Sequence, residues 1–193
     1  STYTLGNITG GVFEYTGNTV LASNGTLVTG KNSAIYLNGS NITAASGATN
    51  VAAVALDGQY GGTLPVGMTL GTDVENNGII ILGDSSVGLY GKNDSRLSNK
   101  NSITAGNTSA GLMTSGNSSF VLNSGTISLG TGSQGIYLKN GTLAHNMSSG
   151  NILSTGIGTI GIYADNNSGA VMQITNDGVI DLAGDKSIGI YAA

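Results

Sequence analysis

One phrase is written three times in this chain: "GIIILGDSSVGLY" from Gly78 to Tyr90, "GTISLGTGSQGIY" from Gly125 to Tyr137, and "GVIDLAGDKSIGIY" from Gly178 to Tyr191. No other feature limits the fold as strongly, because a phrase that recurs at a steady interval is one structural unit used repeatedly. Its closing triplet, a small residue followed by an aliphatic and then a large side chain, marks the interval. It stands at Gly11 ("GVF"), Ala34 ("AIY"), Gly88 ("GLY"), Gly111 ("GLM"), Gly135, Gly161 and Gly189 (each "GIY"), with a degenerate "AVA" at Ala53. Successive markers lie 23, 19, 35, 23, 24, 26 and 28 residues apart, a period of about 24 with one long step.

Each period carries more than its marker. Ile80, Ile103, Ile127 and Leu153 precede their markers by eight residues, and apolar residues two apart recur there as Ile80/Leu82, Ile127/Leu129 and Ile180/Leu182. A third apolar patch follows the marker, as at Phe120–Leu122 and Ala170–Ile174. Alternation with period two over three to five residues specifies strands. Helix-length runs are missing, and 33 glycines would each destabilise a helix interior by about 1 kcal/mol. Asn24-Gly25, Asn77-Gly78, Ser124-Gly125 and Asp177-Gly178 separate the phrases, and Gly and Asn tolerate the positive φ of tight turns.

Three short strands per period predict an all-β fold: a right-handed parallel β-helix with three strands per coil and about seven to eight coils. The right hand is the one favoured for parallel crossovers. A single coil cannot bury its own apolar face, so neighbours must, and like residues stack on like. Val12, Ile35, Leu89, Leu112, Ile136, Ile162 and Ile190 are expected to form one buried column, with Ile80, Ile103, Ile127 and Ile180 in a second. Asn, Ser and Thr are expected to form hydrogen-bonding ladders at the turns. The whole chain, residues 1–193, reads as a single solenoid segment.

Composition narrows function. Leu, Ile, Val and Phe exceed the ~20% below which disorder prevails, and the net charge is only −4. Charged residues make up 8%, and the six Lys and Arg are scattered, so phosphate neutralisation has no footing and a nucleic-acid partner is not expected. No apolar run approaches the ~18 residues of a membrane span. Without Cys there is no disulfide framework and no thiolate chemistry. The start at "STYTLGN" without Met and the end at "GIYAA" inside the phrase read as those of a fragment of a longer, exported protein.

Catalytic and metal residues are expected to be none, and no cofactor is expected. The acids group tightly only as Asp73/Glu75 and as Asp177, Asp181 and Asp185, and the latter read as turn or solvated positions. His145 stands alone, with no nucleophile or orienting acid tied to it by spacing. The glycine-rich "GTGSQG" lacks the lysine of a phosphate loop. Ten Asn-x-Ser/Thr triplets, from Asn7 to Asn166, read as turn chemistry.

Two features stand out as candidate contact surfaces. Tyr36, Tyr90, Tyr137, Tyr163 and Tyr191 take the third place of the marker and are expected to point outward as a stripe of stacked rings that is mainly structural, with a contact surface as the rival reading. The long step contains an inserted loop, 57–76, with the only proline, Pro65. It is expected to be an exposed excursion carrying Gln59, Tyr60, Asp73 and Glu75 as binding groups, removable without loss of the fold.

Gly-x-Ile-x-Leu-Gly leading into Ser-x-Gly-Ile-Tyr resembles the passenger repeats of large Gram-negative autotransporter adhesins, best from Asn77 onward. The resemblance implies a β-helical stalk on the cell surface, exported through a C-terminal membrane barrel that is absent here, which would be its only link to the membrane. It implies attachment to host cells or other bacteria through a surface receptor, protein or glycan. Some members of that family are proteases or lyases, and none of their catalytic motifs occurs here. The competing expectation is a glycan-active β-helix or a tail-spike-like segment that binds polysaccharide.

Overall fold

The computed structural model describes residues 6–193, which form twenty β-strands and no helix; residues 1–5 lie outside the described part. The first coil is β1 (Gly6–Thr9), β2 (Val12–Tyr15) and β3 (Asn18–Leu21), and the second is β4 (Thr26–Lys31) with the long β5 (Ala34–Ala44). The third holds β6 (Ala52–Asp57) and β7 (Val74–Ile81); the fourth holds β8 (Val87–Lys92), β9 (Leu97–Asn99) and β10 (Ser102–Ala105). Coils five and six are β11 (Ala110–Ser115), β12 (Phe120–Asn123) and β13 (Thr126–Leu129), then β14 (Gln134–Lys139), β15 (Leu143–Asn146) and β16 (Asn151–Ser154). The seventh is β17 (Ile160–Asp165), β18 (Gln173–Asn176) and β19 (Val179–Leu182), and β20 (Ile188–Ala192) begins one more.

Every strand pairs in parallel with its counterpart in the next coil, as a β-helix requires. The first strand of each coil builds an eight-stranded sheet, β1-β4-β6-β8-β11-β14-β17-β20. The other two build a twelve-stranded sheet, because β5 and β7 run through the corner that splits these strands in later coils. The expected parallel β-helix with three strands per coil is therefore what the chain forms, in about seven turns.

The core is a set of columns. Val28, Val54, Leu89, Leu112, Ile136 and Ile162 stack in register on the eight-stranded sheet and are buried. Opposite them, Ile42, Ile80, Ile103, Ile127 and Ile152 form a second buried column, continued by Ile180. A third, Ile35, Val74, Leu97, Val121 and Ala144, lines the remaining wall.

Two members of the expected first column belong elsewhere. Val12 faces outward, 41% exposed, and pairs with Ala34, while Ile35 pairs with Val74 in the third column. The cause is phase. All three strands of a coil alternate in the same way, so "GVF" and "AIY" fall on the twelve-stranded sheet although they match the marker. Val28 and Val54 hold the places assigned to them. Leu153 shifts as well: Ile152 pairs with Ile127 in the core and Leu153 faces outward beside Ser128. Ile190 is in register with Ile162 but 44% exposed, since no described coil covers it.

The small residue of the marker has a steric cause. A Cβ on Gly88, Gly111, Gly135 or Gly161 would lie 2.5–2.7 Å from the carbonyl oxygen of the equivalent glycine one coil on. It would also strike an isoleucine of the second column from the side, as Gly88 would strike Ile103. The corners are closed by polar ladders. Asn76, Asn99, Asn123, Asn146 and Asn176 stack, each amide nitrogen donating to the next Oδ1 at 2.9 Å, and the first four are fully buried. At the opposite corner the backbone N–H groups of Ser86 and Ser109 donate to the hydroxyls of Ser109 and Ser133, both at 3.0 Å. Asn24, Asn93 and Asn140 take positive φ at turns, as expected of them.

Candidate functional site

The irregular third coil holds the most elaborated part of the surface. Where the other coils pass from the first strand to the second in a few residues, the chain between β6 and β7 spends residues 58–73. Asp57 belongs to β6, and Glu75 and Asn76 to β7, so the insert is shorter at both ends than the loop expected from sequence. Nor does it protrude as a free excursion. It folds back as a flap over the outer face of the twelve-stranded sheet, where Met68, Leu64 and Tyr60 pack on Ala34 and Tyr36.

Four fastenings hold the flap. Asp73 is fully buried and receives a two-pronged pair from Arg96, Nε to Oδ2 and Nη2 to Oδ1, both 2.8 Å. The backbone N–H groups of Arg96 and Tyr60 donate to the same carboxylate at 2.8 and 2.7 Å. The Asp73 hydrogen bond, assisted by its charge, raises the Arg96 pKa against the opposing effect of burial. Glu75, also fully buried, accepts from the Thr69 N–H at 3.1 Å and faces Lys100 Nζ at 3.5 Å. Gln59 donates to the Asp94 carbonyl at 2.8 Å, and Lys100 to the Gly67 carbonyl at 3.2 Å.

The structure thus brings Gln59, Tyr60, Asp73 and Glu75 together, but facing inward. Asp73 and Glu75 do not offer acidic groups to solvent: both are fully buried, Asp73 is spent on Arg96 and Tyr60, and Glu75 Oε2 is spent on Thr69 and Lys100, while its buried Oε1 has no hydrogen-bond partner. Strand alternation sends Glu75 to the outer face of β7, and the flap then covers it. Besides Thr63 and glycines, the flap presents two aliphatic side chains to solvent: Val66 is 99% exposed and Leu70 87%. The apolar residues were visible in the sequence as Leu64, Val66, Met68 and Leu70, but a spacing of two would place all four on one face and carries no signal for the split. Leu64 and Met68 pack inward; Val66 and Leu70 do not.

The tyrosine stripe is real for four of its five members. Tyr90, Tyr137, Tyr163 and Tyr191 lie in one outward column of the eight-stranded sheet, with Met113 between the first two. Tyr137 and Tyr163 stack at 5.0 Å between ring centres, and Tyr163 and Tyr191 lie 5.1 Å apart with their planes tilted by 43°. Burial within the stack raises the Tyr137 phenol pKa, and the charge of Asp165 adds to the rise. Tyr36 stands on the other sheet, buried beneath the flap.

His145 acquires an acid that spacing alone did not tie to it. Adjacent coils place its Nε2 2.8 Å from Asp177 Oδ2. Asp181 lies on the exposed outer face of β19, as the alternation with Ile180 and Leu182 indicated. Among the described residues no three His, Asp or Glu side chains converge where they could hold a metal ion. No protein-family model, curated protein or solved structure matches the chain.

Proposed function

We propose that this chain is a segment of a cell-surface adhesin: a rigid β-helical rod that displays a contact surface for attachment to host cells or other bacteria. In this reading it binds without catalysing a reaction, and the resemblance to autotransporter passenger repeats supplies the setting, export and display at the outer surface. The observation that carries the reading is the flap, the longest insertion between strands among the described residues. It is clamped by the Asp73–Arg96 pair, yet it holds Val66 and Leu70 in solvent.

Fully burying an aliphatic side chain of this size is worth about 1.5–3 kcal/mol, so two left in water on a fastened loop forgo about 3–6 kcal/mol. A partner that covers them recovers that sum before the costs of association. The alternative of a glycan-active enzyme has less support, since of the two acidic groups Asp73/Glu75 is spent on holding the flap, and in the other Asp177 pairs with His145 while Asp181 stands on an open strand face.

The test is attachment of beads coated with the protein to epithelial monolayers and to bacterial lawns. Wild-type beads should attach above albumin-coated beads, and the double variant Val66→Ser, Leu70→Ser should attach several-fold less with an unchanged circular dichroism spectrum. No attachment above albumin, or full attachment by the double variant, would overturn the reading.

A further inference from the structure

The tyrosine column does not run the length of its sheet. Below Tyr90 its register positions are taken by Ala55, Thr29 and Asn7. Tyr137 and Tyr163 bury ring faces against aromatic neighbours, whereas Tyr90 lies between Met113 and Ala55. The loss of ring volume below it leaves two shallow depressions that share Tyr90 and Ala55. One, about 430 Å³, is lined on its far side by Asn7, Thr29, Lys31 and Asp57. The other, about 320 Å³, is bordered by Asn24, Asn50, Thr26 and Ser85.

We infer that this strip of the eight-stranded sheet is a binding site for an uncharged oligosaccharide of pyranose units, with Tyr90 as its stacking platform. A pyranose ring has an apolar C–H face that packs on an aromatic side chain, and hydroxyls that need donors and acceptors together. The borders supply both kinds. Asn50 donates to Asn24 at 2.9 Å, which leaves the Asn50 Oδ1 and the Asn24 amide nitrogen for a ligand. Asp57 receives the Asn93 amide at 2.7 Å and lies in register between Lys31 and Lys92, so the strip mixes both signs of charge and offers no field of a single sign.

Peptide and nucleic-acid occupants fit less well. Strands β4, β6 and β8 are interior to their sheet, so no open edge exists there for a peptide to extend. The chain's net charge is −4, and Lys31 and Lys92 flank Asp57 rather than forming a basic track.

The inference rests on the adhesive reading only for its setting, because the flap lies on the other sheet and the Val66, Leu70 double variant leaves this strip intact. A printed array of defined neutral and acidic oligosaccharides, probed with the purified protein, tests it. Wild type should bind neutral members. Tyr90→Ala removes the platform, and Ala55→Tyr extends the ring stack into the depressions; each should weaken binding by at least about tenfold. Tyr163→Ala, within the existing stack, should leave it unchanged. Circular dichroism controls for folding, and Ala55→Tyr fills the site without removing any native group. Absence of array binding, retention of binding in Ala55→Tyr, or equal loss in Tyr163→Ala would each overturn the site, whatever the beads do.

Discussion

At the scale of the residue, the buried asparagines decide more than their number suggests. Asn99 is fully buried and central in its ladder: its amide nitrogen serves Asn123 Oδ1 and the Asn101 carbonyl, and its Oδ1 accepts from Asn76. An apolar replacement leaves the Asn123 Oδ1 without a donor in a site closed to water, while the Asn76 nitrogen keeps the Gly78 and Ser102 carbonyls. Such an orphan costs about 1–3 kcal/mol. Asn99→Ala should therefore lower stability by about 1–3 kcal/mol, more than an exposed turn asparagine such as Asn24→Ala. Chemical denaturation of the two variants checks the order, and equal midpoints would mean that the ladder is decoration. The glycines make the same point from the steric side. In Asn77-Gly78, Ser124-Gly125 and Asp177-Gly178 the glycine is needed for closeness rather than for turn conformation, since a Cβ would strike the carbonyl of Ser40, Asn101 or Gly150 on an adjacent coil.

At the scale of the element, the flap separates what the sequence could state from what it could not. Strand type and the buried columns from Ile80 and Leu89 onward were legible, because stacking forces apolar residues to recur at one place in every coil. The phase of the first two markers was not, since an outward Val12 and an inward Val28 sit in equally good alternations. The insert itself was legible as a break of period. Its direction was not, because nothing local distinguishes an acid that reaches for a partner from one that reaches for an arginine 23 residues on. The sequence reading treats the insert as removable; the structure makes it a cover for Tyr36 and Ala34. Asp73→Ala should thus destabilise the protein. Breaking one side of a buried pair costs about 3–5 kcal/mol, and partial exposure of Arg96 places this case near the low end. A lower melting point together with new proteolysis within 58–72 is expected; an unchanged melt with an intact flap would show that the apolar contacts alone hold it.

At the scale of the whole molecule, a solenoid couples its parts through nearest neighbours, so damage should stay near its origin. Ile136 is fully buried in the sixth coil, in register between Leu112 and Ile162. Ile136→Asp places an unpaired carboxylate in an apolar column, at a cost of several kcal/mol. His145→Ala, in the same coil, removes only a partly exposed pair with Asp177, the kind worth about 0–1 kcal/mol. The two substitutions should therefore differ widely in melting temperature, and a reversed order would contradict the column. The position of the damage is the sharper test. Coils two to five carry the flap, whose Gln59, Arg96 and Lys100 contacts tie one coil to another across the outer face. Hydrogen exchange on Ile136→Asp should show lost protection in β13 to β17 and retained protection in β5 to β8. Uniform loss along the rod would mean that the coils fold as one cooperative unit, and that the flap fastens nothing that stacking had not already fixed.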